Sequence, residues 1–276
     1  MPEKAFRFAA TMPAQQDATA DSWAQQVRRV EELGYASLFH PDGVAMMSPF
    51  TSLPVAVAAT STLTVAPFVT AAPLRDPRLA AWEAHSLASL ADGRFEFGIG
   101  TGHPGMREQA AVVGGTYGTG PERLARMRET VERFRALDGD RRTPVMIAAG
   151  GPQALAYAGA EADIVVLAHG PLTSREEVAA KVRTVRDAAG DRADELEFAS
   201  NIMVVGDDAP PRVTDFVGAD MTAMIEHDSL VIIRGTDGQM ADELQRRRDE
   251  VGLNYVGVSG LFLERFAPVV ERLAGK

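Results

Sequence analysis

The chain has no cysteine among its 276 residues. This absence excludes a disulfide framework, a metal site built on thiolates and a cysteine nucleophile. It is also typical of proteins that fold in a reducing compartment, so we expect a cytoplasmic location. The opening residues "MPEKAFRFAATMP" have neither a long apolar core nor the cleavage pattern of an export signal, which favours the same location.

Charged side chains are missing from residues 43–74, and this stretch could be mistaken for a membrane span. It is interrupted by Pro49, Pro54, Pro67 and Pro73. A spanning helix needs about 20 apolar residues in unbroken helical geometry, which these prolines prevent. We therefore expect a buried helix, a turn and a strand here, and no contact with a membrane.

Basic residues are outnumbered, with 28 Lys and Arg against 38 Asp and Glu and a formal net charge of -10. Such an acidic surface argues against a nucleic-acid partner. It does not exclude a small anionic ligand, because backbone N–H groups can hold a phosphate whatever the net charge.

What is present is an alternation of short β-branched or aromatic runs with longer segments of helical period, the pattern of repeated βα units. The eight predicted strands cover residues 6–11, 36–40, 63–70, 94–100, 144–148, 164–168, 196–205 and 254–258.

The segments between the strands carry amphipathic stripes and helix-end signals. The clearest stripes are Trp23, Val27, Val30 and Leu33, and Leu124, Met127, Val131 and Phe134. Pro121 suits a first helical turn, Thr173 with Glu176 has the spacing of a capping box, and Gly34 lies where a helix would end.

Eight βα pairs without a linker predict a single domain, residues 1–276, folded as an α/β (β/α)8 TIM barrel. An open doubly wound sheet is the alternative. Residues 207–234 are too long for an ordinary connection, so we expect an insertion near the C-terminal third that contains extra helix.

Chemistry in such a barrel gathers at the carboxyl ends of the strands. Three of the five histidines, His40, His103 and His169, follow predicted strands there, and histidine is suited to proton transfer. Each could equally be a structural histidine. A metal site from His40, Asp42 and His103 has no short-spaced ligand pair to support it, so we expect no metal.

The fifth predicted strand ends in "AAGGPQ", followed by an Ala-rich helix. Gly150 and Gly151 would allow close approach of a ligand, and the free N–H groups of the helix start would favour an anion. A plain glycine turn is the other interpretation. The "GIGTG" at residues 98–102 lacks the third glycine of a dinucleotide fingerprint.

Four longer segments resemble the luciferase-like monooxygenase superfamily: "DSWAQQVRRVEELGYASLFHPD", "RDPRLAAWEAHSLASLADGRFEFGIGTG", "AAGGPQALAYAGAEADIVVL" and "VGVSG...ERFAPVVERLAG". The resemblance extends over nearly the whole chain and is weakest over residues 207–234. The "AAGGPQALAYAG" block is similar to the branch that uses the deazaflavin coenzyme F420.

The resemblance implies a barrel of the bacterial luciferase type with a flavin-type ring at its mouth. It implies a non-prolyl cis peptide at Phe68-Val69, beside the ring. The cofactor-binding positions that it implies are Phe68, Val69, Thr70, Ala71, Thr101 and Gly102 for the ring, and Ala148, Ala149, Gly150, Gly151, Pro152 and Gln153 for the phosphate.

Two departures bear on the catalytic residues. The branch often has an Asp-His pair after the second strand, whereas Asp42 is followed here by Gly43. Sugar-phosphate dehydrogenases of the branch carry a glutamate after "GTG", where this chain has His103. We therefore expect His103 to transfer the proton. Asp42 is a second catalytic candidate, and its alternative role is to tie down a loop or orient a histidine. His40 or His169 would replace the lost histidine, His169 also contacting the cofactor.

The resemblance predicts an oxidoreductase that moves a hydride between coenzyme F420 and a small organic substrate, for example by reducing a C=C, C=N or C=O group. An FMN-dependent monooxygenase is the first alternative, and a flavin-binding protein without turnover is the second. The superfamily is also consistent with a homodimer.

Overall fold

The computed structural model describes residues 4–276, apart from the side chain of residue 212. The strands are β1 (Arg7–Thr11), β2 (Ser37–His40), β3 (Thr64–Pro67), β4 (Thr70–Ala71), β5 (Phe97–Gly100), β6 (Val145–Ala149), β7 (Ile164–Leu167), β8 (Glu197–Ile202), β9 (Val204–Val205), β10 (Ile232–Ile233) and β11 (Leu253–Ser259). The helices are α1 (Ala20–Glu32), α2 (Pro49–Ala59), α3 (Pro77–Ala91), α4 (Met106–Val112), α5 (Gly120–Asp138), α6 (Pro152–Glu161), α7 (Arg175–Ala189), α8 (Pro211–Val217), α9 (Met221–Glu226), α10 (Asp237–Val251) and α11 (Leu263–Leu273).

The fold belongs to the α/β TIM-barrel class. In the described residues, the main sheet has nine strands in the order β3-β2-β1-β11-β8-β7-β6-β5-β4. This order follows the chain and ends on two strands consecutive in sequence, β3 and β4, as a TIM barrel requires. A doubly wound sheet instead reverses direction at a switch point, so that alternative is wrong.

Close contacts divide the chain into two compact units, and the expectation of a single domain stays a prediction. The carboxy-terminal unit contains the described residues up to Thr11, together with Glu32–Ala36 and Ala149–Lys276. Its strands β1, β11, β8 and β7 pair in parallel. Phe8 stacks on Phe6 at 5.9 Å between ring centroids and meets Phe266 of α11 edge to face at the same distance, which anchors α11 on the sheet.

The amino-terminal unit contains Met12–Glu31 and Ser37–Ala148. Here β2 pairs with β3, and β4, β5 and β6 pair in order, all in parallel. Phe97 of β5 packs on Phe134 of α5 at 4.6 Å between ring centroids, and both are fully buried. These contacts pack α5 against the first residue of β5.

The amphipathic stripes are confirmed except at Leu33, which follows the end of α1 and is only partly buried. Trp23, Val27 and Val30 are the buried residues of α1, and all four residues of the second stripe are buried on α5. Pro121 lies in the first turn of α5, and Gly34 adopts φ 81° after α1 ends. The predicted capping box is wrong by one residue. The capping box of α7 is formed by Ser174 and Glu177. Thr173 lies just before this cap, and its hydroxyl accepts from the N–H of Gly170.

Two predicted strands are each broken in two. Residues 63–70 form β3 and β4, which flank a cis peptide bond between Phe68 and Val69. Residues 196–205 form β8 in the main sheet and β9 outside it. The reason for the second break is that β9 pairs with β10 as a separate parallel ribbon.

The insertion at residues 207–234 contains the expected extra helix, α8 and α9, but also the unexpected strand β10. It has a small core of its own, in which Val204, Val213, Met224, Val231 and Ile232 are buried together. The insertion contains a strand as well as helices because the short apolar run near its end pairs with β9.

The uncharged stretch at residues 43–74 folds as the expected buried helix and turn, followed by two short strands where one was expected. Among the described residues, no helix is both long enough and apolar enough to cross a membrane.

Candidate functional site

The segment between β3 and β4 lies directly on β5. A Cβ added to Gly98 would be 1.9 Å from the carbonyl oxygen of Pro67, and one added to Gly100 would be 2.9 Å from Cγ2 of Val69. Real Cβ atoms do not come so close, so both positions require glycine. The "GIG" of β5 is therefore explained by packing beneath the Phe68-Val69 cis peptide, which the structure confirms.

Thr70 and Ala71 form β4 directly after this segment. Oγ1 of Thr70 is buried and makes no hydrogen bond to the described residues. A buried hydroxyl without a partner is costly, so this one is well placed to bond a ligand. The N–H of Ala71 donates to Oδ2 of Asp42 at 2.9 Å.

Asp42 holds a loop in place. Besides Ala71, its carboxylate accepts two hydrogen bonds from Arg75, one of them 3.0 Å long between Nη2 and Oδ1. Arg75 also donates to the hydroxyl of Ser48. With its side chain nearly buried in this bidentate pair, Asp42 ties the end of β2 to the turn after β4. The catalytic role expected of Asp42 stays a prediction, and this geometry favours positioning instead.

His40, the last residue of β2, is fully buried. Its Nε2 accepts from the N–H of Ala14 at 2.8 Å, and its Nδ1 lies 2.7 Å from the carbonyl oxygen of Pro41. Burial lowers the pKa of His40, against opposing effects of the bond to Pro41 and the charge of Asp42. A neutral ring with both nitrogens engaged is suited to structure rather than proton transfer.

Gly43 follows Asp42 where the resemblance leads one to look for a histidine. A Cβ at this position would lie 2.9 Å from Oε1 of Gln109, which accepts from the N–H of Val44. The side chain of Gln109, on α4, therefore occupies the space beside Gly43. No signal in the sequence connected Gln109 with this position.

Thr101, Gly102 and His103 follow β5. The carbonyl oxygen of Thr101 accepts from Nε of Arg123 at 3.0 Å, and that of Gly102 lies 3.4 Å from the hydroxyl of Tyr117. His103 is exposed, and its Nδ1 accepts from the N–H of Gly105 at 3.1 Å. This bond leaves the proton of the neutral ring on Nε2, the nitrogen without a backbone partner.

The second expected contact region is the turn from β6 into α6. Ala148 and Ala149 end β6, Gly151 is the N-cap residue of α6, and Pro152 and Gln153 begin the helix. Gly151 offers no capping side chain, and a Cβ added there would meet nothing within 4 Å. The start of α6 therefore has no side-chain cap and has room beside Gly151, as an anion site needs.

Gly150 has a different role from its neighbour. A Cβ at Gly150 would lie 3.0 Å from the carbonyl oxygen of Ala168. That oxygen accepts from Nζ of Lys181 at 2.7 Å, which brings a cation close to the turn. His169 comes next in the chain and is half-buried, and burial, followed by the charges of Lys181 and Arg247, lowers its pKa. Gly150 therefore allows close packing against Ala168, whereas Gly151 leaves space in which a ligand could bind.

These observations fit a flavin-type group in the two regions taken separately. Thr70 offers an unsatisfied buried hydroxyl beside the cis peptide, and the start of α6 offers uncapped N–H groups with Lys181 nearby. For a metal the fit is absent: within residues 4–276, no three His, Asp or Glu side chains are grouped so as to hold an ion.

The fold and these two regions define a TIM-barrel enzyme of the luciferase type. The chain matches the luciferase-like monooxygenase family over residues 5–248 and belongs to that family. Among curated proteins, none matches it significantly.

Solved structures of the same fold include two enzymes named as F420-dependent and one named as a monooxygenase. The coenzyme F420 dependent tetrahydromethanopterin reductase from Methanopyrus kandleri is 16% identical, with a TM-score of 0.74 over 98% of this chain and 99% of that one. An F420-dependent secondary alcohol dehydrogenase, in complex with an F420-acetone adduct, is 15% identical, with a TM-score of 0.74 over 96% and 99%. EDTA monooxygenase from Chelativorans sp. BNC1 is 12% identical, with a TM-score of 0.75 over 99% and 95%.

Proposed function

We propose that the protein is an oxidoreductase that transfers a hydride between coenzyme F420 and a small organic substrate. The observation that carries the proposal is His103, an exposed imidazole after β5 whose Nδ1 is fixed by the N–H of Gly105. It is supported by two F420-dependent enzymes of the same fold. When bound, the deazaflavin ring supplies the two-electron chemistry, and the protein supplies position and protons.

Each residue has a part in this proposal. Thr70 donates its free hydroxyl to the ring, and Thr101 and Gly102 line the ring edge. The N–H groups at the start of α6 hold the coenzyme phosphate, with Lys181 as a nearby cation. Nε2 of His103 gives a proton to the substrate atom adjacent to the one reduced, or takes it in the reverse direction. Asp42 and His40 hold the loops that carry these groups.

The test is a calorimetric titration of the protein with F420 and, separately, with FMN. We expect tight binding of F420 in preference to FMN. In the variant Gly151→Glu, binding should be abolished, because the new carboxylate fills and charges the open space at the start of α6. Gly238→Glu is the matched control: it adds the same charge to the first turn of α10, where a Cβ has ordinary contacts.

Preferential binding of FMN would contradict the proposal. It would favour the FMN-dependent monooxygenase, which should then consume oxygen during turnover. Binding of either coenzyme with no activity toward a broad panel of substrates would favour a flavin-binding protein without turnover. Unchanged affinity in Gly151→Glu would show that the phosphate lies elsewhere.

A further inference from the structure

Two arginine side chains of the amino-terminal unit stack on one aromatic ring. The guanidinium carbon of Arg123 lies 4.1 Å from the ring centroid of Tyr117, and that of Arg107 lies 5.0 Å from it. The ring attracts each cation, and the two like charges that it gathers repel one another. An anion between or beside them would relieve this repulsion.

The protein does not supply that anion. Across the described residues, carboxylates are absent within ion-pair distance of either guanidinium, although acidic residues outnumber basic ones in the chain. Two acidic residues of α5 are engaged elsewhere. Glu122 accepts from the N–H of Thr119 in the helix cap, and Glu129 pairs with Arg133.

The pair is held next to the end of β5. Arg123 uses Nε for the carbonyl oxygen of Thr101 and Nη1 for that of Gly118, both at 3.0 Å. Tyr117 is buried with Ala71, Met106 and Ala110, so its position relative to β4 is fixed. Nη2 of Arg123 and the whole guanidinium of Arg107 have no hydrogen-bond partner among the residues that the structure describes. These donors remain available to a ligand.

We propose that Arg107 and Arg123 bind an anionic group of the substrate, a carboxylate, sulfonate or phosphate. Planar guanidinium groups bind such anions through paired N–H donors, and the stack on Tyr117 orders them beforehand. The inference rests on the proposed function, because it takes the ring edge to lie at Thr101 and Gly102. An anion held beside Arg123 would then fix the substrate next to that edge.

The test is calorimetry with benzoate and inorganic phosphate as anionic probes and benzamide as the neutral isostere of benzoate. We expect the protein to bind benzoate in preference to benzamide. Arg107→Ala should weaken benzoate binding roughly tenfold, the size of one charge-assisted hydrogen bond, and leave benzamide unchanged. The benzoate affinity of Arg107→Lys should lie between those of the wild type and Arg107→Ala, because lysine keeps the charge but not the paired donors.

Arg133→Ala is the control, since it removes the same charge from an exposed site on α5. Equal binding of benzoate and benzamide, or equal losses in Arg107→Ala and Arg133→Ala, would overturn the proposal. So would an Arg107→Ala variant that loses affinity for F420 or FMN but not for benzoate, because the anion would then belong to the coenzyme. A protein that binds benzoate through Arg107 but binds neither coenzyme would contradict the proposed function and retain the anion site.

Discussion

At the scale of single residues, two features distinguish the region beside the cis peptide: a glycine that has no room for a side chain, and a buried hydroxyl that has no hydrogen-bond partner in the described residues. Gly98 must lack a Cβ because the carbonyl oxygen of Pro67 takes its place. Thr70 carries a hydroxyl that has no partner among the described residues. Each observation leads to a substitution whose effect on stability has a known sign.

Gly98→Ala should lower the free energy of unfolding by about 3 kcal/mol or more, because the new methyl group would collide with backbone that cannot yield cheaply. Urea denaturation measures the change. Gly120→Ala is the control: a Cβ there meets nothing within 4 Å, in the first turn of α5, so stability should be unchanged or slightly raised. Equal effects of the two substitutions would refute this account of the "GIG" sequence.

Thr70→Val should raise the free energy of unfolding by about 1 kcal/mol, since it replaces a buried, unsatisfied hydroxyl with a methyl group of similar size. The same change should weaken coenzyme binding if the hydroxyl contacts the ring. Thr130→Val is the matched control, because Thr130 is equally buried but donates to the carbonyl oxygen of Arg126 at 2.8 Å. It should lose stability and keep its coenzyme affinity. A stability loss in Thr70→Val would mean that the hydroxyl is satisfied in solution.

At the scale of secondary-structure elements, an ion-pair network joins α7 and α10 to the insertion. Glu243 of α10 accepts hydrogen bonds from Arg175 of α7 and from Arg247. Arg175 also pairs with Asp228, two residues after α9, and Arg247 donates to the carbonyl oxygens of Leu230 and Ile232. Through these contacts, Glu243 indirectly fixes the short helices and the ribbon of the insertion.

Burial by itself raises the pKa of Glu243, but the bonds from Arg175 and Arg247 outweigh it and lower the pKa to about 2. The network therefore contributes full stability above pH 4.5, and this contribution is lost as the pH falls toward 2. Glu243→Gln should cost about 3 kcal/mol at pH 7, measured by urea denaturation, and the difference from wild type should shrink below pH 4.5. A difference that does not change between pH 7 and pH 3 would contradict this origin.

At the scale of the whole molecule, α3 presents an apolar stripe to solvent. Leu79, Trp82 and Leu90 are 45%, 62% and 67% exposed, and their spacing places them on one face of the helix. Exposed apolar stripes of this kind are typical of interfaces. We propose that this face joins two copies of the chain, since a two-fold axis would place the same stripe on both sides of the contact.

Trp82→Glu should convert a dimer into a monomer by burying a charge in the interface. Light scattering at micromolar protein concentration measures the molar mass of the particle in solution. Phe216→Glu adds the same charge at another exposed aromatic residue, on α8, and should leave the mass unchanged. A wild-type protein that is monomeric under these conditions would refute the interface.

The sequence by itself determined the βα alternation, the helices α1 and α5 with their buried stripes, and the family blocks, because these depend on local periodicity and on motifs of contiguous residues. It also located three histidines at strand ends, while the cis peptide was predicted from the family resemblance. It could not show that His40 has both ring nitrogens engaged, since Ala14 lies 26 residues away. Nor could it connect Asp42 with Arg75, Gly43 with Gln109, or β9 with β10.

Only the tertiary structure decided those pairings, because each joins side chains or strands that are distant in the chain. Whether they meet depends on how the helices and strands pack, which no local sequence pattern encodes. The same holds for the glycines. Gly98 and Gly100 are required by neighbouring backbone or side chains, Gly150 is closely packed against Ala168, and Gly151 leaves open space. In sequence these four look alike, and the difference lies wholly in what folding places opposite each Cα.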